Sequence, residues 1–167
     1  MAQLTVNIKE SIHIGIPIGE LWNITALQFD KIGSWSAGVT ESTGHGLRIN
    51  GAVCSERQCQ PSYKGFSKTT EKIIDYDPET YEFTYQIVSG LPGMVTKATN
   101  TWSHLEEDEG TRIVMQVNMQ LKGLLGRIMK GPMQKKMRQI LRENLEELKV
   151  YAETGGVHAR KKKLLVQ

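Results

Sequence analysis

From Met133 onward an apolar residue returns every three or four positions: Met133, Met137, Ile140, Leu141, Leu145, Leu148 and Tyr151. That spacing puts them on one face of a helix. Gly131-Pro132 marks a start or a kink, because proline suits a first turn and not a helix interior. Thr154-Gly155-Gly156 supplies the stop. From Pro132 to Thr154 such a helix runs roughly 34 Å, at about 1.5 Å per residue, enough to cross a small domain. Almost everything upstream has the period of strands. The stripe must therefore lie along a sheet, and this pairing restricts the fold more than any other feature.

The upstream strands can be taken in order. Leu4–Ile14 alternates and is rich in β-branched residues, which predicts a first strand. Pro17 opens a helix through about Leu27, with Glu20 in its first turn, and a second short helix is expected over 28–34. Val39–Gly44, Gly51–Cys59 and Gly65–Tyr76 follow as strands bounded by turn-forming residues. After the turn Asp77-Pro78-Glu79-Thr80, Tyr81, Phe83, Tyr85 and Ile87 alternate with polar residues. Strands over Thr96–Leu105 and Thr111–Leu121 flank an acidic turn, Glu106–Gly110. In the last strand Ile113, Met115, Val117, Met119 and Leu121 share one face. One-sided apolarity of this kind predicts an antiparallel sheet with one face covered. The expected fold class is α+β: a curved sheet of about seven strands around the final helix.

At 167 residues, 39% hydrophobic and 23% charged, the chain has the size and composition of one domain with a substantial core. No apolar run reaches bilayer length. The first residues lack the basic and apolar regions of a secretion signal, so cytoplasmic residence is the expectation. Cys54 and Cys59 complete no metal set and no disulfide framework, and both read as reduced. Five residues apart, strict strand alternation would place them on opposite faces. Neither a metal nor a cofactor is expected. The formal charge of +3 is uneven: residues 122–163 hold twelve Lys or Arg against four Glu. That basic helix and tail, ending in Arg160–Lys163, could touch an anionic membrane or an acidic partner. Nucleic acid is not expected, because the cations are not interleaved with stacking aromatics.

Several segments together resemble a known family. They are Leu21–Trp35 (LWNITALQFDKIGSW), Glu71–Pro92 (EKIIDYDPETYEFTYQIVSGLP), Trp102 with Gly110–Ile113, and Leu145–Gly155 (LEELKVYAETG). In this order, over nearly the whole chain, they resemble the polyketide cyclase/dehydrase branch of the START-like helix-grip (SRPBCC) superfamily. The resemblance implies residues 1–155 as one domain and 156–167 as a basic tail. It implies a seven-stranded sheet wrapped around the C-terminal helix, with an elongated apolar cavity between them. Members hold lipids, quinones or polyketides; some catalyse cyclisation or dehydration and others only bind, so fold alone does not settle function.

Strand parity and the facing helix stripe, with Trp35 added, give the expected cavity wall: Trp35, Phe83, Tyr85, Ile87, Trp102, Met115, Val117, Met119, Met133, Met137 and Leu141. Methionine, present seven times, adapts to irregular apolar guests. Candidate polar groups are Arg57, Glu71, Tyr85, His104 and Asn118. Arg57 is either a surface residue or an anchor for a carboxylate or enol oxygen. His104 is either a general base or a satisfied edge residue. Tyr85 could donate to a guest carbonyl. Glu71 reads as an outward, salt-bridged residue. The loops Gly44-His45-Gly46 and Gly90-Leu91-Pro92-Gly93 are candidates to gate the cavity. The expectation is a binder of a small hydrophobic ligand (lipid, quinone or polyketide-like). A cyclase or dehydratase using His104, Tyr85 or Arg57 is the alternative, and a carrier docked through the basic helix is a second. Oligomeric state stays open.

Overall fold

The structure is a computed structural model that describes residues 4–64 and 66–166. Seven strands form one antiparallel sheet: β1 (Leu4–Ile14), β2 (Val39–His45), β3 (Glu56–Pro61), β4 (Thr69–Asp77), β5 (Glu82–Ser89), β6 (Val95–Glu107) and β7 (Gly110–Leu121). Their spatial order is β1-β7-β6-β5-β4-β3-β2, so each hairpin neighbour pairs directly and the first strand closes beside the last. Register shifts in β2, β4 and β6 bend the strands, as bulges do. The curved face holds one side of each strand: Val6 and Ile8 of β1, Phe83 and Tyr85 of β5, and Ile113, Met115, Val117 and Met119 of β7 are all buried.

Between β1 and β2 the chain forms α1 (Ile18–Trp22), which continues as a wider turn over Asn23–Leu27. A 3-10 turn (Phe29–Lys31) and α2 (Ile32–Trp35) follow. This segment closes one end of the curved face with an aromatic cluster. Trp22 meets Tyr76, Tyr81, Phe83 and His104 at ring-centroid distances of 5.1–5.8 Å, within the range of favourable edge and offset contacts.

Several boundaries differ from the sequence expectation. The long helix α3 runs Gly123–Thr154 and takes Pro132 into its interior. Only one backbone hydrogen bond is lost there, that to the Ile128 carbonyl, and both residues lie on exposed helix. The stop is as expected: Gly155 takes φ 71°, a left-handed conformation open to glycine, and its N–H donates to the Tyr151 carbonyl at 2.9 Å. The segment expected as a strand from Gly51 begins pairing only at Glu56, after an Ile49–Ala52 bridge. Cys54 therefore precedes the strand, and both cysteines are free and buried. The next strand, expected from Gly65, begins at Thr69; Gly65 itself lies outside the described residues.

The two halves of α3 do different things. Leu141, Leu145 and Leu148 are at most 2% exposed and rest on the sheet. On the open side, Arg138 and Arg142 both bond to Glu10 of β1, at 2.7 and 3.0 Å, and Lys149 Nζ donates to the His13 carbonyl. The first half carries Met129, Met133 and Met137, which are only partly covered. There the helix stands off the sheet. After α3 the expected basic tail forms a short helix, α4 (Ala159–Leu165). Arg160 bonds Glu147, Glu146 and the Glu143 carbonyl, and Lys161 Nζ donates to the Val39 carbonyl.

Candidate functional site: a cavity between sheet and helix

The gap under the first half of α3 is a cavity of about 560 Å³, inside the roughly 300–1,000 Å³ range of small-molecule sites. Tyr85, Ile87, Trp102, Met115, Val117 and Met119 line it from the sheet, and Met133, Met137 and Leu141 from α3. These nine are among the eleven expected residues. The other two are corrected. Phe83 is enclosed in the aromatic cluster, facing Trp22, Phe29 and Trp102. Trp35 stacks on Tyr151 at 6.5 Å, near the far end of α3. For Phe83, parity fixes the face of the strand, and position along the strand decides whether that face meets cavity or solid core; Trp35 ends α2, where strand parity does not apply.

One loop expectation needs the same correction. Gly90, Leu91 and Pro92 line the cavity. Gly90 takes φ 86°, and a Cβ there would lie 2.3 Å from the Lys68 carbonyl oxygen, so the loop packs on the segment before β4 as only glycine allows. Gly44-His45-Gly46 instead lies along a separate recess of about 350 Å³ with Asp30 and Cys54. None of its three residues reaches the cavity wall.

A polar row crosses the otherwise apolar sheet wall. Glu71 of β4, Tyr85 of β5 and Asn100 of β6 line the cavity, and Tyr85 and Asn100 are register partners. Asn100 Nδ2 donates to Tyr85 Oη at 3.0 Å, which leaves the phenol hydrogen free to donate. Glu71 Oε2 accepts from Arg57 Nε at 2.7 Å. Glu71 thus points inward, contrary to the outward reading, and Arg57 lies behind it, 3% exposed. The guanidinium sits 4.0 Å over the Phe29 ring and 5.0 Å from that of Tyr85, and Nη1 donates to the Phe29 carbonyl at 2.7 Å. Burial pulls its pKa down, and the Glu71 carboxylate more than reverses this. Arg57 is not a surface residue and does not line the cavity; its Nε holds Glu71.

Three further polar atoms on this wall have no hydrogen-bond partner: Asn100 Oδ1, Trp102 Nε1 and, from α3, Asn144 Oδ1. A buried unpaired polar atom costs about 1–3 kcal/mol. Burial, with the Glu71 charge adding to it, raises the Tyr85 phenol well above its ordinary pKa, so it stays a donor. Burial likewise pushes the Cys59 thiol up to about 12, against the pull of Arg57. Cys59 lines the cavity as an apolar thiol, not as a nucleophile.

His104 and Asn118 fall outside the site. Asn118 is exposed on the outer face of β7. His104 is 2% exposed at the aromatic end, where Nδ1 donates to the Tyr81 carbonyl at 2.8 Å and Nε2 lies 2.7 Å from Thr25 Oγ1. Burial lowers its pKa to about 4, with the Tyr81 carbonyl opposing. It is a satisfied structural histidine. Among the described residues there is no cluster of three or more His, Cys, Asp or Glu that could hold a metal ion. Nor is there a helix long and apolar enough to cross a membrane.

Known proteins place the architecture. No curated protein sequence matches the chain. Among solved structures, a protein from Thermus thermophilus is similar at TM-score 0.73, with 17% identity over 90% of this chain and 99% of the other. The ZhuI aromatase/cyclase from a Streptomyces species gives TM-score 0.70, with 12% identity over 93% and 100%. Norcoclaurine synthase from Thalictrum flavum gives 0.63, with 15% identity over 87% of each chain. At these identities the likeness is one of fold. The sequence carries the family itself: the model for polyketide cyclase / dehydrase and lipid transport proteins matches residues 5–153, and the chain belongs to that family.

Proposed function

We propose that the protein binds a small hydrophobic guest, lipid-, quinone- or polyketide-like, with one oxygen-bearing end turned to the Glu71–Tyr85–Asn100 row. The observation that carries this reading is the cavity of about 560 Å³ with an apolar wall and a short row of incompletely paired polar atoms. Apolar burial drives uptake at about 25 cal/mol per Å², less the cost of immobilising guest and side chains. The row sets orientation. Tyr85 O–H and Trp102 Nε1–H offer donors for a carbonyl; the Glu71 carboxylate and Asn100 Oδ1 offer acceptors for a hydroxyl. A guest with a carbonyl and a hydroxyl close together satisfies both. The family and the aromatase/cyclase neighbour support the same class of guest.

Native mass spectrometry of the purified protein, with organic extraction of what is released, tests the proposal. A discrete co-purified mass of this chemistry supports it. A guest-free protein that also fails to take up a fluorescent fatty acid and a hydroxy-naphthoquinone overturns it.

A second reading, a cyclase or dehydratase acting on an enolisable carbonyl, is favoured by one feature: the cavity presents a carboxylate acceptor, Glu71, and a phenol donor, Tyr85, on adjacent strands. A base of this kind abstracts the α-proton while the donor stabilises the enolate oxygen. Enzyme-dependent exchange of α-protons in deuterated water, lost in Glu71→Gln with guest binding retained, identifies catalysis. Its absence with every carbonyl guest that binds leaves a binding protein.

A further inference from the structure

The cavity opens beside a surface that guest binding leaves unused. Leu124, Leu125 and Ile128, in the first two turns of α3, are 73%, 59% and 63% exposed. Met129, Pro132 and Met133, directly after them, line the cavity. The Lys122 N–H donates to the Met94 carbonyl at 2.9 Å, tying the start of α3 to the loop whose Leu91, Pro92 and Met94 also line it. Phe66, 38% exposed and itself at the cavity, adds a third apolar edge. The apolar surface is therefore continuous from the outside of α3 into the opening.

The charge carried by the chain segments around this patch has one sign. The segments that hold these residues, 60–64, 66–69, 88–99 and 122–139, contain no Asp or Glu. They carry Lys64, Lys68, Lys97, Lys122, Arg127, Lys130, Lys135 and Lys136, none of which makes a salt bridge among the described residues; Arg138 pairs with Glu10. The C-terminal run is different: Arg160 is committed to Glu146 and Glu147, and Lys161 to the Val39 carbonyl. In α4 only Lys162 and Lys163 lack such a partner among the described residues, so most of the uncompensated positive charge lies on the segments around the cavity.

We propose that this rim docks on an anionic lipid surface, with Leu124, Leu125 and Ile128 entering the interface and the surrounding lysines and arginine meeting headgroups. Protruding aliphatic side chains flanked by unpaired cations are what an interfacial helix requires. A second copy of the same rim would bring like charges together, which argues against self-association. The docking surface stands without any guest; only the further step, exchange of a guest through the opening against the bilayer, rests on the reading above.

Flotation of the full chain with phosphatidylcholine vesicles, with and without phosphatidylglycerol, tests this. Binding is expected only with the anionic lipid, and should weaken as salt rises from about 0.1 to about 0.5 M. Joint substitution of Leu124, Leu125 and Ile128 by Ser should weaken it on the order of tenfold. Lys122→Glu with Arg127→Glu should do the same with the apolar residues intact, so a folding defect in one set is caught by the other. Lys162→Glu with Lys163→Glu should leave it nearly unchanged. Absence of binding to anionic vesicles overturns the proposal. So does equal binding to soluble polyglutamate that survives the serine substitutions, since charge alone would then suffice. Extraction and probe uptake on the same preparations separate the two readings: docking with neither a co-purified guest nor uptake of the fatty acid or the naphthoquinone overturns only the ligand proposal, and a guest without docking overturns only this one.

Discussion

The Arg57–Glu71 pair is the residue-scale surprise, because a charged residue in a strand ordinarily faces outward. Parity points the other way: Thr69, Glu71 and Ile73 are all buried on one side of β4, as Arg57 and Cys59 are on β3. Arg57 and Glu71 are also register partners, which a single sequence does not reveal. Removing one member leaves the other charge buried, a loss of about 3–5 kcal/mol, whereas replacing both with apolar residues is close to neutral. Glu71→Leu should therefore lower stability by roughly that amount in urea unfolding. The double variant Arg57→Met/Glu71→Leu should recover most of it; no recovery would mean the pair is not the source. His104 makes a second prediction. Its folded pKa of about 4 lies below the ordinary value near 6.5, so its neutral form is favoured by folding. The stability it contributes is complete above about pH 6.5 and is lost as pH falls towards 4, about 2 kcal/mol between pH 7 and 5. In the neutral ring the Thr25 hydroxyl donates to Nε2; on protonation it must turn to the Leu21 carbonyl, its other neighbour at 3.0 Å. His104→Gln should flatten unfolding free energy over this window, and an unchanged slope would assign it to other groups.

At the scale of elements, strands with strict alternation are readable nearly to the residue, as in β1 and β7, because one covered face enforces period two. The start of α3 is not. Gly131-Pro132 marks a start or a kink, and only the structure shows that the helix continues back to Gly123, its first turns exposing Leu124, Leu125 and Ile128 instead of burying them. Supplying the missing N–H by Pro132→Ala should stabilise the helix by up to about 3 kcal/mol where geometry allows. Hydrogen exchange should then slow over 123–131, and unchanged exchange there would show that neighbouring contacts already fix this half. The C-terminal segment is hidden for another reason: its composition is basic and polar, and its order comes from a distant acceptor. Glu147 of α3, 2% exposed, accepts from the Ala37 N–H at 2.8 Å and from Arg160 Nε at 2.8 Å. Arg160→Ala should cost about 2 kcal/mol, the worth of charge-assisted bonds to a buried acceptor, and should expose 159–165 to trypsin before the domain unfolds.

For the molecule as a whole, the division of the interior into a solid half and a hollow half is what makes binding possible. The aromatic cluster at the α1 end fills its share of the curved face with Trp22, Phe29, Phe83 and Trp102. Leu141, Leu145 and Leu148 fill the middle, and methionines stand over the remainder. Five of the six strand pairings join consecutive strands, as antiparallel strands usually do; that β1 pairs β7 and not β2 is not visible in the periodicity. Nor is the size of the hollow, since it depends on how far α3 stands from the sheet. Met115 tests that division directly. It lies on β7 opposite Trp102, 3% exposed, and lines the cavity. A Met115→Trp side chain has free volume to enter, so the overpacking penalty should stay near the lower end of about 1–3 kcal/mol. The same bulk should cut guest affinity by on the order of tenfold or more, since it displaces apolar contact area that drives binding. Gln116→Trp, one residue along on the outer face, should leave affinity unchanged. If Met115→Trp unfolds the protein, the hollow collapses in solution and the interior is a solid core. If it folds and binds as before, the guest lies elsewhere.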